Sequence, residues 1–298
     1  MSVEYIMITF RKNQTFMRTV LYICAFFISL SSFSQDQFGG VALYTLRDDM
    51  STNPQNTLEE VSNIGYSYIE AAGYDKGKFY GMEPLQFKAL LSEYNLIPIS
   101  THQGTVTLDN MTEMIADVKK AGFQYFVVPV PPMGMFYFEE ATMSMGMNGS
   151  IEELASILNQ IGEKCNEAGL SLLYHNHDFE FIKDKNGSAP IDYLLENCNP
   201  DWVNFQMDLF WVHRAGVNPA EYFEKYPGRF KIWHVKDMND QGLFAPVGEG
   251  NIDFAEILEY KELSGMLYYM VEQDMTFEIQ PLEAVKISHN NLKNIGFN

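Results

Sequence analysis

Ser150-Ile-Glu-Glu-Leu-Ala-Ser-Ile-Leu-Asn-Gln-Ile-Gly-Glu-Lys-Cys-Asn-Glu-Ala-Gly-Leu170, running into Ser171-Leu-Leu-Tyr-His-Asn-His177, decides how the rest of the chain is read. Ser150 with Glu153 three positions on is a helix start, and an amphipathic segment follows it. A glycine then leads into a short apolar run that ends on polar residues, which is the pattern of a buried strand.

The same alternation continues in both directions. Candidate strands are Val41–Leu46, Tyr66–Ala71, Ile97–Thr101, Tyr125–Val130, Ser171–Asn176, Val203–Asp208, Lys231–Val235 and Tyr268–Glu272. Helix starts are expected at Thr57/Glu60, Asn110/Glu113, Asp253/Glu256 and Asn218-Pro219. Eight consecutive strand and helix units without a linker predict an α/β fold, a single-domain (β/α)8 TIM barrel over residues 35–298. A doubly wound open sheet is the alternative, but Tyr44-Thr-Leu-Arg-Asp-Asp offers no glycine-rich phosphate loop after the first strand. The longest connection runs from Pro131-Pro-Met-Gly-Met-Phe-Tyr-Phe to Met143-Ser-Met-Gly-Met147; it is either a lid over an apolar or ring-shaped ligand or a surface against another subunit.

Residues 1–34 have a different character. Arg11, Lys12 and Arg18 precede the apolar run Thr19–Leu30, and Ser31-Ser-Phe-Ser34 follows. These are the parts of a cleaved signal peptide, with Met17 as a possible alternative start; an uncleaved anchor is the competing reading. Cys24 lacks a convincing lipobox. Cleavage leaves an exported, periplasmic or secreted domain without a stable membrane span. Whether Cys165 and Cys198 pair there is open.

The full chain of 298 residues carries 20 Lys+Arg against 39 Asp+Glu, a net charge of −19, and losing Arg11, Lys12, Arg18 and Glu4 moves it to −21. Such a charge speaks against nucleic acid or an anionic membrane as a partner.

In a barrel the C-terminal strand ends converge on one mouth. Glu70, His102, His175, His177, Asp208, His234 and Glu272 all fall at or just past such ends. Singly, each has an ordinary explanation as a cap or a hydrogen-bonded histidine. Together, so many carboxylates and imidazoles at one mouth call for a cation, and donors without thiolate suit Mn²⁺, Mg²⁺, Co²⁺ or Zn²⁺.

The ordered set Tyr44-Thr-Leu-Arg47, Gly65-Tyr-Ser-Tyr-Ile-Glu70, Ser100-Thr-His102, Tyr174-His-Asn-His-Asp-Phe-Glu180, Met207-Asp208, His234-Val-Lys-Asp237, Gly248-Glu-Gly-Asn-Ile-Asp-Phe254 and Val271-Glu272 resembles the xylose isomerase-like TIM-barrel superfamily, the sugar phosphate isomerase/epimerase group. The resemblance implies a divalent-metal site with Asp208, His234 and Glu272 as ligands and His175 at the strand-5 position. Many members have Glu at that position, and epimerases of the group use it with the strand-8 Glu as an opposed acid/base pair. His177 shares the strand parity of His175, so one can ligate while the other meets substrate.

The resemblance also implies proton abstraction next to a carbonyl through a metal-stabilised enediolate, with isomerase, epimerase or lyase outcomes. The first expectation is a sugar isomerase/epimerase; the alternative is a lyase/hydratase acting on 3-keto-glycosides. Glu272, His175 and Lys236 are the expected catalytic residues, although Lys236 could equally be a solvent-exposed partner of Asp237. Arg47, Glu70, His102, His177 and Trp211 are expected to bind a small carbohydrate, and a homodimer is compatible with the fold. Two further readings are a non-catalytic sugar-binding barrel and the DNA-repair branch of family 2 AP endonucleases; the charge speaks against the latter.

Overall fold

Each expected strand forms: four are a residue or two shorter than expected, the first is half as long, two are a residue longer and one is unchanged. In a computed structural model describing residues 37–139 and 144–298, the barrel strands are β1 (Gly40–Ala42), β2 (Tyr68–Ala71), β3 (Ile97–His102), β4 (Tyr125–Val128), β5 (Ser171–His175), β6 (Val203–Asp208), β7 (Phe230–Val235) and β8 (Tyr268–Val271). All neighbouring pairs are parallel. The sheet closes where β1 meets β8, with Gly40 opposite Met270 and Val41 opposite Val271. This is the (β/α)8 barrel, and the open doubly wound sheet is set aside. The expected export segment and Met143 lie outside the described residues. Among the described residues no helix is long and apolar enough to cross a membrane.

Alternation along the strands separates two apolar layers. Ile99, Tyr125, Val127, Leu173, Ile232 and Met270 fill the barrel interior. Their neighbours in sequence, such as Phe126, Leu172, Tyr174 and Trp233, face the surrounding helices in the larger outer core. Gly40 stands where a Cβ would overlap Met270 Sδ and the Tyr269 carbonyl, so the closing seam admits no side chain there.

Two register shifts reset this parity. The β2–β3 pairing skips Ile99, going from Ile69–Pro98 to Glu70–Ser100. The β6–β7 pairing skips Lys231. After the first bulge, Ser100 and His102 face the Glu70 carboxylate instead of Thr101.

The helix starts divide. Ser150, Asp253 and Asn218 accept from the backbone N–H groups of Glu153, Glu256 and Ala220 as expected. Thr57 does not cap: its helix, Pro54–Ile64, begins three residues earlier, with Asn53 accepting from Asn56 N and Pro54 in the first turn. Proline's fixed φ and missing N–H suit that first position. Asn110 precedes the helix Met111–Ala121 but turns its carbonyl back to Thr107 N, away from the helix. The long connection after β4 forms an antiparallel hairpin, Phe136–Glu139 with Ser144–Met147. Cys165 and Cys198 are buried free thiols, so the pairing left open by the sequence does not form.

Candidate active site

Three strands bring their second inward position to one level: Leu173 is followed by His175, Ile232 by His234 and Met270 by Glu272. Gln206 and Asp208 join them from β6, Glu70 from β2 and His102 from β3. Glu70, His175, Gln206, Asp208, His234, Lys236 and Glu272 are all buried. Placing so many polar groups in an apolar barrel requires that they satisfy one another.

Glu70 is the hub of the inner side. Its Oε1 meets His234 Nε2 at 2.6 Å and His102 Nε2 at 3.0 Å, while Oε2 accepts from Ser100 Oγ at 2.7 Å and Gln206 Nε2 at 2.6 Å. Burial would raise its carboxyl, but the charges and hydrogen bonds of His102 and His234 hold it well below the usual range. Gln206 Oε1 lies 2.9 Å from both His102 Nε2 and His175 Nδ1. The sequence reading expected Glu70 to bind substrate; in the fold its two oxygens meet four protein donors, through which it orients His234 and His102.

The outer side gathers the remaining carboxylates. His234 Nδ1 lies 2.9 Å from Glu272 Oε2 and 3.8 Å from Asp208 Oδ2. His175 Nε2 stands 3.7 Å from that same Asp208 oxygen. Lys236 is buried, not solvent-exposed, and its Nζ contacts Asp208 Oδ2 at 2.9 Å, Glu272 Oε2 at 2.5 Å and Asp274 Oδ1 at 2.9 Å. Asp237 has a different task. Its carboxylate accepts from the backbone N–H groups of Met238, Gly248, Gly250 and Ile252, tying down the loop after β7.

These contacts set the charges. Burial opposes protonation of His234, but Glu70 and Glu272 raise its pKa to about 10. Burial and the nearby His234 push His175 well below the usual histidine value, and burial with Lys236 lowers His177 to about 3. Burial raises Asp274 to about 6 against the pull of Lys236. His175 and His177 are thus neutral imidazoles.

The donor set fits a divalent ion. Asp208 Oδ2 is buried and, despite its ion pair with Lys236, lacks a hydrogen bond of acceptable geometry. Ligand atoms around an ion with bonds of roughly 2.1 Å stand about 3 to 3.5 Å apart. The separations of 3.7 Å to His175 and 3.8 Å to His234 are close to that spacing. Donor atoms of Glu70, His234 and Glu272 also lie within 4.8 Å of one another, as do those of His102, His175 and His234.

His177 lies past the end of β5, its ring centroid 5.1 Å from His175, 5.3 Å from Trp211 and 6.2 Å from Phe136. His177 Nδ1 and Trp211 Nε1 have no protein partner among the described residues. Glu180 holds this segment, accepting from His177 N at 2.8 Å and Tyr174 OH at 2.6 Å. Arg47 does not join the cluster. It is exposed, donates to the Tyr44 carbonyl, and lines a groove of about 450 Å³ with Asp75 and Tyr80.

Three participants were missed from sequence. Gln206 and Asp274 lie two residues from Asp208 and Glu272, so strand parity pointed to both, but an amide does not stand out as a ligand and Asp274 lies past the end of its strand. Asn176, which brackets Asp208 by pairing with its backbone N–H and carbonyl, carried no sequence signal.

Fold and site together define a (β/α)8 barrel with a buried histidine and carboxylate centre at the C-terminal ends of its strands. The chain belongs to the xylose isomerase-like TIM barrel family, whose profile matches residues 58–266. An inosose dehydratase of Geobacillus kaustophilus is 24% identical over 255 residues, covering 73% of this chain and 79% of that protein. An inosose dehydratase of Lacticaseibacillus casei is 30% identical over 132 residues, 38% of this chain and less than half, 43%, of that protein. The solved structure of a sugar phosphate isomerase/epimerase from Parabacteroides distasonis superposes with a TM-score of 0.70 at 26% identity, covering 89% of this chain and 96% of that one.

Proposed function

We propose that this protein is a divalent-metal-dependent lyase that removes a proton next to the carbonyl of a keto-carbohydrate, of the 3-keto-glycoside type, and expels the β-substituent. The observation that carries this reading is His175: a neutral imidazole stands at the strand-5 position, leaving Glu272 without an opposed carboxylate for two-sided proton transfer. The similarity to inosose dehydratases supports the same outcome. An isomerase or epimerase outcome, the first expectation from sequence, has support at the level of the family alone.

In this reading His175, Asp208, His234 and Glu272 hold the ion, with Glu70 fixing the tautomer of His234 through Nε2. A divalent ion held there would supply Lewis-acid stabilisation of the negative charge that develops when the C–H beside the carbonyl loses its proton. Glu272 Oε1 receives that proton as the C–H bond breaks and a C=C bond forms. The C–O bond to the leaving group breaks, and the leaving oxygen takes a proton from Lys236. Return of the proton from Glu272 Oε1 to the neutral amine of Lys236 through solvent, once product has left, restores both groups. His177 Nδ1 and Trp211 Nε1 are buried polar atoms without a protein partner among the described residues, and in this reading they would pair with substrate oxygens while the Trp211 ring offers an apolar face. Export of the domain, read from residues 1–34, would place this chemistry outside the cytoplasm.

The test is NMR of Mn²⁺-loaded protein in D₂O with 3-keto-glycosides, inosose and free sugars, alongside Glu272→Gln. An unsaturated ketone and a released alcohol or water, lost in the variant, support the lyase. Deuterium incorporation into an intact isomer or epimer shifts the reading to isomerase/epimerase. Metal binding without exchange on any substrate refutes catalysis of this class and leaves a sugar-binding barrel.

A further inference from the structure

Lys236 is held by three carboxylates, and their distribution is unequal. Asp208 and Glu272 belong to the donor set that fits a divalent ion, and the two oxygens that touch the ammonium, Asp208 Oδ2 at 2.9 Å and Glu272 Oε2 at 2.5 Å, are the two that converge on His175 and His234. An ion at that donor set and the ammonium therefore claim the same oxygens. The third carboxylate, Asp274, is outside the set. Among the described residues its hydrogen bond and ion pair are with Lys236, Nζ donating to Oδ1 at 2.9 Å. Asp274 stands two residues past Glu272, beyond the end of β8. Its side chain is 20% exposed against 2% for Lys236, so it is the more solvent-accessible of the pair. The Trp211 ring lies 5.9 Å from Nζ, a further favourable neighbour for the ammonium.

We infer that Asp274 is a positioning residue for Lys236: it retains the ammonium beside the site when a divalent ion takes Asp208 Oδ2 and Glu272 Oε2, and so sets how tightly the chain holds that ion. This rests on the metal-dependent reading above and adds to it a division of labour. Two carboxylates are shared between the ion and the lysine, and one is reserved for the lysine. Without the reserved carboxylate, ion binding strands a buried ammonium with no anion, which penalises the ion-bound form. Without the lysine, the ion meets no internal competitor.

The experiment is calorimetric titration of Mn²⁺ into the full chain for wild type, Asp274→Asn, Lys236→Met and the double variant. Lys236→Met is expected to bind Mn²⁺ more tightly. Asp274→Asn is expected to bind about tenfold more weakly, the factor that one charge-assisted hydrogen bond supplies. In the Lys236→Met background the same Asp274 change is expected to shift affinity less than about threefold, because its route of action is gone. Equal weakening in both backgrounds would show that Asp274 acts by its own charge and overturns the positioning role. Unchanged or weaker binding by Lys236→Met overturns the competition. If wild type binds no divalent ion, the metal-dependent reading falls and takes this inference with it; wild-type binding with additive changes sinks the inference alone.

A second measurement does not depend on Lys236→Met folding. Competitive acetylation read by mass spectrometry should find Lys236 protected in wild type with or without Mn²⁺, and in Asp274→Asn exposed by Mn²⁺ alone. Protection unaffected by Mn²⁺ in Asp274→Asn refutes the anchor.

Discussion

Replacing Glu70 by Gln tests whether one buried carboxylate organises the inner side of the site. Glu70 takes His234 Nε2 at 2.6 Å, His102 Nε2 at 3.0 Å, Ser100 Oγ at 2.7 Å and Gln206 Nε2 at 2.6 Å. An amide presents N–H groups where one pair of these donors already points, and it leaves His234 with Glu272 as its close anionic partner. Breaking a buried pair from one side costs about 3–5 kcal/mol, so the metal-free variant should lose about that much stability near pH 7.

The pH dependence follows from the same contacts. His234 titrates near 10 in the fold and near 6.5 when unfolded, so between these values the native state holds a proton that the unfolded state has released. Stability then falls as pH rises: the contribution is complete below about 6.5 and gone above about 10. Glu70 and Glu272 share in raising His234, so Glu70→Gln should flatten the decline between pH 7 and 9.5 by about half. Urea unfolding in EDTA at several pH values measures both effects. A loss below about 1 kcal/mol, or parallel pH slopes in the two proteins, would refute the assignment of Glu70 as the hub.

Three other outcomes are expected. Burial raises Glu180 to about 7, against the opposing hydrogen bonds from Tyr174 and His177. Its folded form therefore keeps a proton that the unfolded form loses above about pH 4.5, and stability declines by up to about 3 kcal/mol from pH 4.5 to 7. Glu180→Gln should abolish that decline in chemical denaturation, and an unaltered profile counts against the titration. Asp237→Asn replaces a carboxylate that accepts four backbone N–H groups and should destabilise by about 2 kcal/mol, with faster proteolysis in the Gly248–Ile252 loop; a loss under about 0.5 kcal/mol contradicts the tethering role. Gly40→Ala places a Cβ on Met270 Sδ and the Tyr269 carbonyl at the barrel seam and should cost about 3 kcal/mol or more, so a thermal midpoint equal to wild type would contradict the packing at the seam.

The barrel was legible because its units are local. A capped amphipathic helix followed by a short apolar run is encoded within about thirty residues, and eight such units close as a parallel sheet almost by count. Most of the site was legible for a related reason: strand ends are local features, and topology sends all of them to one mouth, so His102, His175, Asp208, His234 and Glu272 assemble as read. Local reading failed where a partner lies far along the chain. Glu70 was read for substrate alone, and its contacts with His234, 164 residues away, and Gln206, 136 residues away, carried no sequence signal. Lys236 offered its neighbour Asp237 as a partner, yet the fold gives Asp237 to backbone amides of the next loop and Lys236 to Asp208, Glu272 and Asp274. His102 reaches the site only because a bulge at Ile99 turns it inward, and bulges depend on the register of the neighbouring strand. The sequence by itself determined which chemical groups stand at the barrel mouth, because strand period and strand end are written in consecutive residues. Only the tertiary structure decided which of them touch, because each hydrogen bond and ion pair among buried charges is chosen by distance across the barrel, a quantity that sequence order does not carry.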